Sequence, residues 1–281
     1  MKEYNEILSQ NHKYKNLEIL MKDQIKQVSI AEKNNDKLRV IIKEINLLKL
    51  NKQEKEMASK EAVILSKLKH PHIVNCFEFF LENERANIIM EYVEGGDLLS
   101  KIQEQKNKNI PFEEKKIVDW VIEICEGLEY IHEKNIIIRD LKPQNIFLTK
   151  DEHIKLGEFG IDKVLDTKYQ ACNKIGTPTY LSPEIIEDKP FDYKSDIWNL
   201  GIILYELTQL KHPFINDEIG LIKGINNIKE GKYFEFSNTK YSKPLLDLIK
   251  RLLKKEPNER LSINKIIIKC NLINIKNSKN E

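Results

Sequence analysis

The sequence predicts an α+β fold, with strands first and helices after. Residues 14–45 and 76–92 hold short runs rich in β-branched and aromatic residues, broken by polar turns. Beyond residue 97 the apolar residues recur at three- and four-residue intervals, as in helices with one buried face. A third observation locates the chemistry. Ile138 to Gly160, IRDLKPQNIFLTKDEHIKLGEFG, sets Asp140, Lys142, Asn145 and Glu158 around two short apolar runs. The 281 residues are 41% hydrophobic, enough for a substantial core in one large domain or two lobes.

Taken in order, residues 1–13 read as a polar leader. YKNLEILMKDQIKQVSIAE, from Tyr14, offers two strands about a polar turn. The Lys33-Asn34-Asn35-Asp36 turn then leads into a third strand in LRVIIKEI. Asn51 followed by Glu54 gives a capping-box-like helix start, and Met57, Ile64, Leu65 and Leu68 are spaced for one buried face. CFEFFLENERANIIMEY reads as a hairpin, and Gly95-Gly96 as flexible chain beyond it. A helix begins near Asp97. A longer one carries Ile117, Val121, Ile124, Leu128 and Ile131 on one stripe, and Asp196 opens an apolar helix through Leu207.

Within the central stretch, IFLT and HIKL flank the turn-like Lys150-Asp151-Glu152. The reading is a loop, a hairpin and a second loop, which holds Asp140 and Asn145 near Glu158. A base, a cation and two oxygen ligands at a strand end suit Mg²⁺-assisted phosphoryl transfer.

The same residues carry a resemblance. Asp140-Leu141-Lys142-Pro143-Gln144-Asn145 resembles the catalytic loop of eukaryotic protein kinases, and Glu158-Phe159-Gly160 stands where they have Asp-Phe-Gly. Gly176-Thr177-Pro178-Thr179-Tyr180-Leu181-Ser182-Pro183-Glu184, KEIN at Lys43 and KPQNIFLT at Lys142 are most similar to the NIMA-related serine/threonine kinases. The resemblance runs from Tyr14 to Ile268. It implies the bilobal kinase fold: a small, mainly antiparallel β lobe over 14–93, a larger, mainly α lobe over 94–268, and a polar tail over 269–281.

It also implies roles. Asp140 would accept the substrate hydroxyl proton and Lys142 would neutralise the γ-phosphate. Asn145 and Glu158 would hold Mg²⁺, with Mn²⁺ as the alternative metal. Lys43, paired with Glu61, would hold the α- and β-phosphates of ATP. Val28, Ile41 and Phe147 would pack about adenine beside the gatekeeper Met90, and the backbones of Glu91 and Val93 would bond to it. Arg139 would receive an activating phosphate, and Thr177 would belong to the protein-substrate platform. Asp196 would brace the catalytic loop, and Arg260 would pair with Glu184. Read alone, Lys43 could equally be a strand-end surface lysine.

This chain departs from the pattern in places. Met21, Asp23 and Lys26 occupy the three glycine positions of the phosphate-covering loop, and Asp23 brings negative charge toward a polyphosphate. Ile138 replaces histidine, which keeps an apolar contact and loses a hydrogen bond. Glu158 replaces aspartate and reaches one methylene further. Asn173 stands where relatives often carry an activating threonine, leaving Thr167 and Tyr169 as poorer phosphate acceptors.

Composition narrows the partners. Lys+Arg total 46 against 44 Asp+Glu, a net charge of +2, which calls for neither nucleic acid nor an anionic membrane. The leader is too polar for a secretory signal, and no apolar run is long enough to span a bilayer. Cys76, Cys125, Cys172 and Cys270 show no metal or redox spacing. The expectation is a cytoplasmic protein acting on protein substrates, with nuclear or cytoskeletal association open by resemblance and the oligomeric state undetermined. Two readings stand: a working serine/threonine kinase, and a pseudokinase using the same fold as a binding module.

Overall fold

Polar turns set the strand boundaries of the first part of the chain. The computed structural model describes residues 13–49, 51, 66–138, 140–157, 178–237 and 240–277. It divides into two units between Glu94 and Gly95. In the first, β1 (Tyr14–Lys22), β2 (Lys26–Lys33), β3 (Arg39–Asn46), β4 (Cys76–Glu82) and β5 (Arg85–Glu91) form one antiparallel sheet in the order β1-β2-β3-β5-β4. Asn83 and Glu84 both take positive φ, 48° and 57°, in the two-residue turn between β4 and β5. That pair of conformations matches the twist of a tight hairpin.

Directly opposed residues share a face of a sheet. One face buries Ala31, Val40, Phe80 and Ile89 in a cluster, with Tyr14 and Ile42 packed against it. The other face carries two cross-strand rows, Val28–Lys43–Ile88 and Ile30–Ile41–Met90. The helix expected from Asn51 lies almost entirely outside the described residues, with Met57, Glu61, Ile64 and Leu65. Leu68, just after it, is buried.

The second unit is mainly helical. Its described helices are α1 (Leu98–Lys108), α2 (Glu114–Glu133), α3 (Pro183–Ile186), α4 (Lys194–Gln209), α5 (Gly220–Glu230), α6 (Lys243–Leu252) and α7 (Ile263–Asn277). The Asp97 carboxylate caps α1, accepting the Ser100 N–H at 2.8 Å. The stripe expected on α2 is its core face: Ile117, Val121, Ile124, Leu128 and Ile131 are all fully buried. The hairpin of β6 (Ile146–Leu148) and β7 (Ile154–Leu156) lies where IFLT and HIKL placed it. Glu123 of α2 ties down its second strand by accepting the Ile154 N–H at 2.7 Å.

Two local expectations change. Gly95 is a packing position rather than flexible chain. Its N–H donates to the Leu148 carbonyl at 2.8 Å, and a Cβ there would meet that oxygen at 2.4 Å. Only glycine lets the two backbones come so close. Residues 269–277, expected within a polar tail, continue α7, and Cys270 and Ile273 are buried. The helix packs on α2, and the Asn274 and Asn277 amides donate to Asp119 and Glu114 of α2 at 2.8 and 3.2 Å.

The first turn of α4 gathers three other segments. Arg260, itself fully buried, makes a two-pronged pair with Glu184, both contacts at 2.7 Å. Its remaining N–H groups donate to the carbonyls of Lys194, Lys254 and Lys255 at 2.8–2.9 Å, and its guanidinium lies over the Trp198 ring. Ser195 Oγ donates to Glu184 Oε1 at 2.8 Å. Burial alone would raise the Glu184 carboxyl, but Arg260 and these hydrogen bonds outweigh it and hold the group below its ordinary value. Every donor of the guanidinium is used, so removing it strands a buried carboxylate. Arg260→Met should cost about 3–5 kcal/mol in urea unfolding, and Glu184→Gln placed in the same chain should recover part of that loss.

Candidate active site

The loop after α2 ends against α4. Asp196, in the first turn of α4, is fully buried. Its Oδ2 accepts the Ile138 N–H at 3.1 Å and faces His132 Nε2 at 2.8 Å. A carboxylate can only accept here, so Nε2 of His132 carries the proton. Asp196 thus holds the backbone at Ile138, and Ile138 itself is buried. From this anchored backbone the chain runs into Asp140. Arg139 lies outside the described residues.

Asp140, Lys142 and Asn145 meet in one cluster. Lys142 Nζ lies 3.0 Å from Asp140 Oδ2. Asn145 Nδ2 donates to the Asp140 carbonyl at 2.8 Å and to Asp140 Oδ2 at 3.2 Å. Asn145 is buried, and its carbonyl accepts the Gly157 N–H at 2.9 Å. The loop residue and the end of the β6–β7 hairpin therefore hold one another in place. With Nδ2 committed to Asp140, Oδ1 is the oxygen that Asn145 offers to a ligand. A carboxamide oxygen is a hard donor of the kind Mg²⁺ accepts. Glu158, expected as the second ligand, lies outside the described residues, as does Thr177.

In the first unit, Val28, Ile41, Lys43 and Met90 share one sheet face, as their register requires. Lys43 is 5% exposed in the interior of β3, between Val28 and Ile88. That overturns the strand-end surface reading, because Lys43 is interior to β3 and its side chain is buried. Glu61, its expected partner, is not among the described residues. The Glu91 carboxylate has a structural task of its own. It accepts both the N–H and the Nδ2 of Asn75 at 3.1 Å, and the Glu91 N–H donates to the Asn75 carbonyl at 2.9 Å. Val93 follows β5 and is half-buried. Phe147, on β6, is half-buried in the second unit, where its backbone bridges to Asp97.

The β1–β2 turn shows why glycine is dispensable in this chain. Asp23 Oδ1 accepts the N–H groups of Ile25 and Lys26, both at 2.7 Å, and the Asp23 N–H donates to the Lys26 carbonyl at 2.9 Å. The turn is closed by its own carboxylate. Backbone donors at such a turn are what a phosphate would otherwise use.

One group was not singled out from sequence. Glu206 is buried on α4 and accepts the Tyr180 hydroxyl at 2.6 Å. The Tyr180 ring meets His212 edge-on, with centroids 5.4 Å apart, and Asn199 Nδ2 donates to the Tyr180 carbonyl at 2.6 Å. Burial pushes the Glu206 carboxyl up to about 7, against the hydrogen bond from Tyr180. Burial pushes His212 down to about 4. A glutamate inside the apolar run IILYELT was the available signal.

A protein kinase domain family model matches residues 14–269. Mouse serine/threonine-protein kinase Nek1 is 41% identical over 259 residues, which is 92% of this chain and 21% of that protein. Human serine/threonine-protein kinase Nek5 is 43% identical over 240 residues, 85% of this chain and 33% of its own length. Mouse serine/threonine-protein kinase Nek4 is 40% identical over 243 residues, 86% and 30% respectively. The chain thus spans between about a fifth and a third of the length of these relatives.

Glu206 and His212 impose opposite pH dependences. A carboxyl raised from 4.5 to about 7 stabilises fully below 4.5, and that contribution is lost as pH rises through about 7. An imidazole lowered from 6.5 to about 4 stabilises fully above 6.5, and that contribution is lost as pH falls through about 4. Between these limits the two slopes oppose one another. Glu206→Gln should expose a rise in urea-unfolding stability from pH 4 to 6.5, and His212→Phe a fall from pH 4.5 to 7. Each change should be on the order of 3 kcal/mol.

Proposed function

This chain belongs to the protein kinase domain family, and on that premise we propose that it transfers the γ-phosphate of ATP to serine or threonine hydroxyls of protein substrates. The observation that carries the reading is the cluster of Asp140, Lys142 and Asn145, held by the hairpin and by Asp196. Phosphoryl transfer asks little covalent chemistry of a protein and much positioning and charge neutralisation.

In this reading the Asp140 carboxylate accepts the proton of the incoming hydroxyl and aligns its oxygen. Lys142, 3.0 Å from Asp140, neutralises charge on the transferred phosphoryl group and favours a serine or threonine acceptor. Asn145 Oδ1 is one metal ligand and Glu158 the other, with Mg²⁺ or Mn²⁺ supplying charge neutralisation when bound. Lys43, with Glu61, takes the remaining phosphates. Val28, Ile41, Met90, Phe147 and the backbones of Glu91 and Val93 receive adenine. Thr177 belongs to the platform that meets the protein substrate, and Arg139 to its control. We place this activity in the cytoplasm; no helix among the described residues is long and apolar enough to cross a membrane.

Asp23 favours a second reading, a pseudokinase that binds partners through the same fold. Its carboxylate already fills the turn that would cover the phosphates, and its charge opposes theirs.

Two measurements separate the readings. Radiolabelled ATP with a general protein substrate should give phosphoserine or phosphothreonine, and Asp140→Asn should lower turnover by roughly 10²–10⁴. Label that is chiefly phosphotyrosine, or no transfer by the parent chain in either metal, would reject the enzymatic reading. Asp23→Gly releases two backbone donors and removes a charge. In calorimetric titration it should tighten ATP binding about tenfold, a gain of roughly 1.4 kcal/mol.

A further inference from the structure

The outer side of α7 keeps apolar surface in water. Ile266, Cys270 and Ile273 face inward and are buried, while Ile268, Leu272 and Ile275 are 59%, 54% and 53% exposed. Spacing of i, i+4 and i+7 puts the exposed three in one row, about half a turn around the helix from the buried stripe. Beside the row a groove of about 330 Å³ opens between the start of α6 and the second half of α7. Pro244, Leu272 and Ile273 give it apolar walls, and Lys243, Lys269 and Lys276 stand at its rim with Asp247. Asp247 is already met by Lys250 at 3.3 Å. Among the described residues, none of the three rim lysines makes an ion pair.

We propose that this groove and row dock an amphipathic helix of a partner protein, with apolar anchors every three to four residues and aspartate or glutamate along its flanks. The exposed row extends about 10 Å, two turns of helix, and its repeat is that of a facing helix. The concavity beside Leu272 accepts an inserted side chain. The unanswered lysines select acidic flanks and work against a second copy of this chain. Twofold pairing of the face would set Lys269 and Lys276 against their counterparts. A flat anionic membrane would meet the row and leave the groove unfilled.

The test uses the full chain and two labelled helical peptides of about 18 residues. Both carry leucine anchors, one with glutamate flanks and the other with lysine flanks. Fluorescence anisotropy should show the glutamate peptide binding at least about tenfold tighter, with the preference shrinking as salt is raised. Leu272→Ser and, separately, Ile268→Ser should each weaken it about tenfold, and Lys269→Glu with Lys276→Glu should reverse the preference. All four positions are exposed, so circular dichroism and thermal unfolding should match the parent chain. Equal binding of the two peptides, or no response to Leu272→Ser and Ile268→Ser, would overturn the proposal. So would micromolar self-association abolished by Leu272→Ser, which would assign the face to a second copy. Capture by phosphatidylserine vesicles without peptide binding would assign it to a membrane.

Discussion

The first turn of α4 is where the second unit is tied together. Three consecutive residues there hold three different segments. Lys194 takes Arg260 through both its backbone carbonyl and its amine. Ser195 takes Glu184, and Asp196 takes His132 and the backbone of Ile138. Each link puts a charge or a strong donor out of water, which is tolerable only because every one is answered. The arrangement is cooperative for the same reason. Removing any partner leaves another unsatisfied in a low-dielectric interior.

Position of the Asp140–Lys142–Asn145 cluster follows from that anchoring. Asp140 lies two residues beyond Ile138, whose N–H is held by a carboxylate on a buried helix. From the other side, the β6–β7 hairpin holds Asn145 through Gly157. In the proposed reaction a base and its neighbouring cation must stay within hydrogen-bond reach of a reacting oxygen. The Asp140–Lys142 contact and the Asn145 amide leave few alternative rotamers for the acid.

The β1–β2 turn of the first unit follows a different physical solution. A glycine-rich loop offers bare backbone donors; here the donors of the turn are taken by Asp23. This stabilises the hairpin as an Asx turn would. It also exchanges an anion-accepting loop for a self-neutralised one. Under the proposed function, hairpin stability and phosphate affinity compete for the same two N–H groups.

Much was legible from the amino-acid string because it depends on local physics. Strand limits at β1, β2 and β3 follow from polar turns and β-branched runs, the α2 core face from its 3.6-residue period, and a helix start near Asp97 from the onset of helical spacing. The cluster of Asp140, Lys142 and Asn145 was legible because spacing along one short loop survives folding. Other features needed the tertiary structure. Lys43 had two equal readings until the structure showed it buried in the interior of β3. Gly95 passed for flexible chain because its constraint is a carbonyl more than fifty positions away. Residues 269–277 passed for a polar tail because their helical face is defined by α2, which lies far away in sequence. Glu206 took its raised carboxyl from burial and its hydrogen bond from Tyr180, two facts absent from its neighbours in the chain. Short-range geometry is written in the order of residues, whereas burial and long-range pairing exist only once distant segments have met.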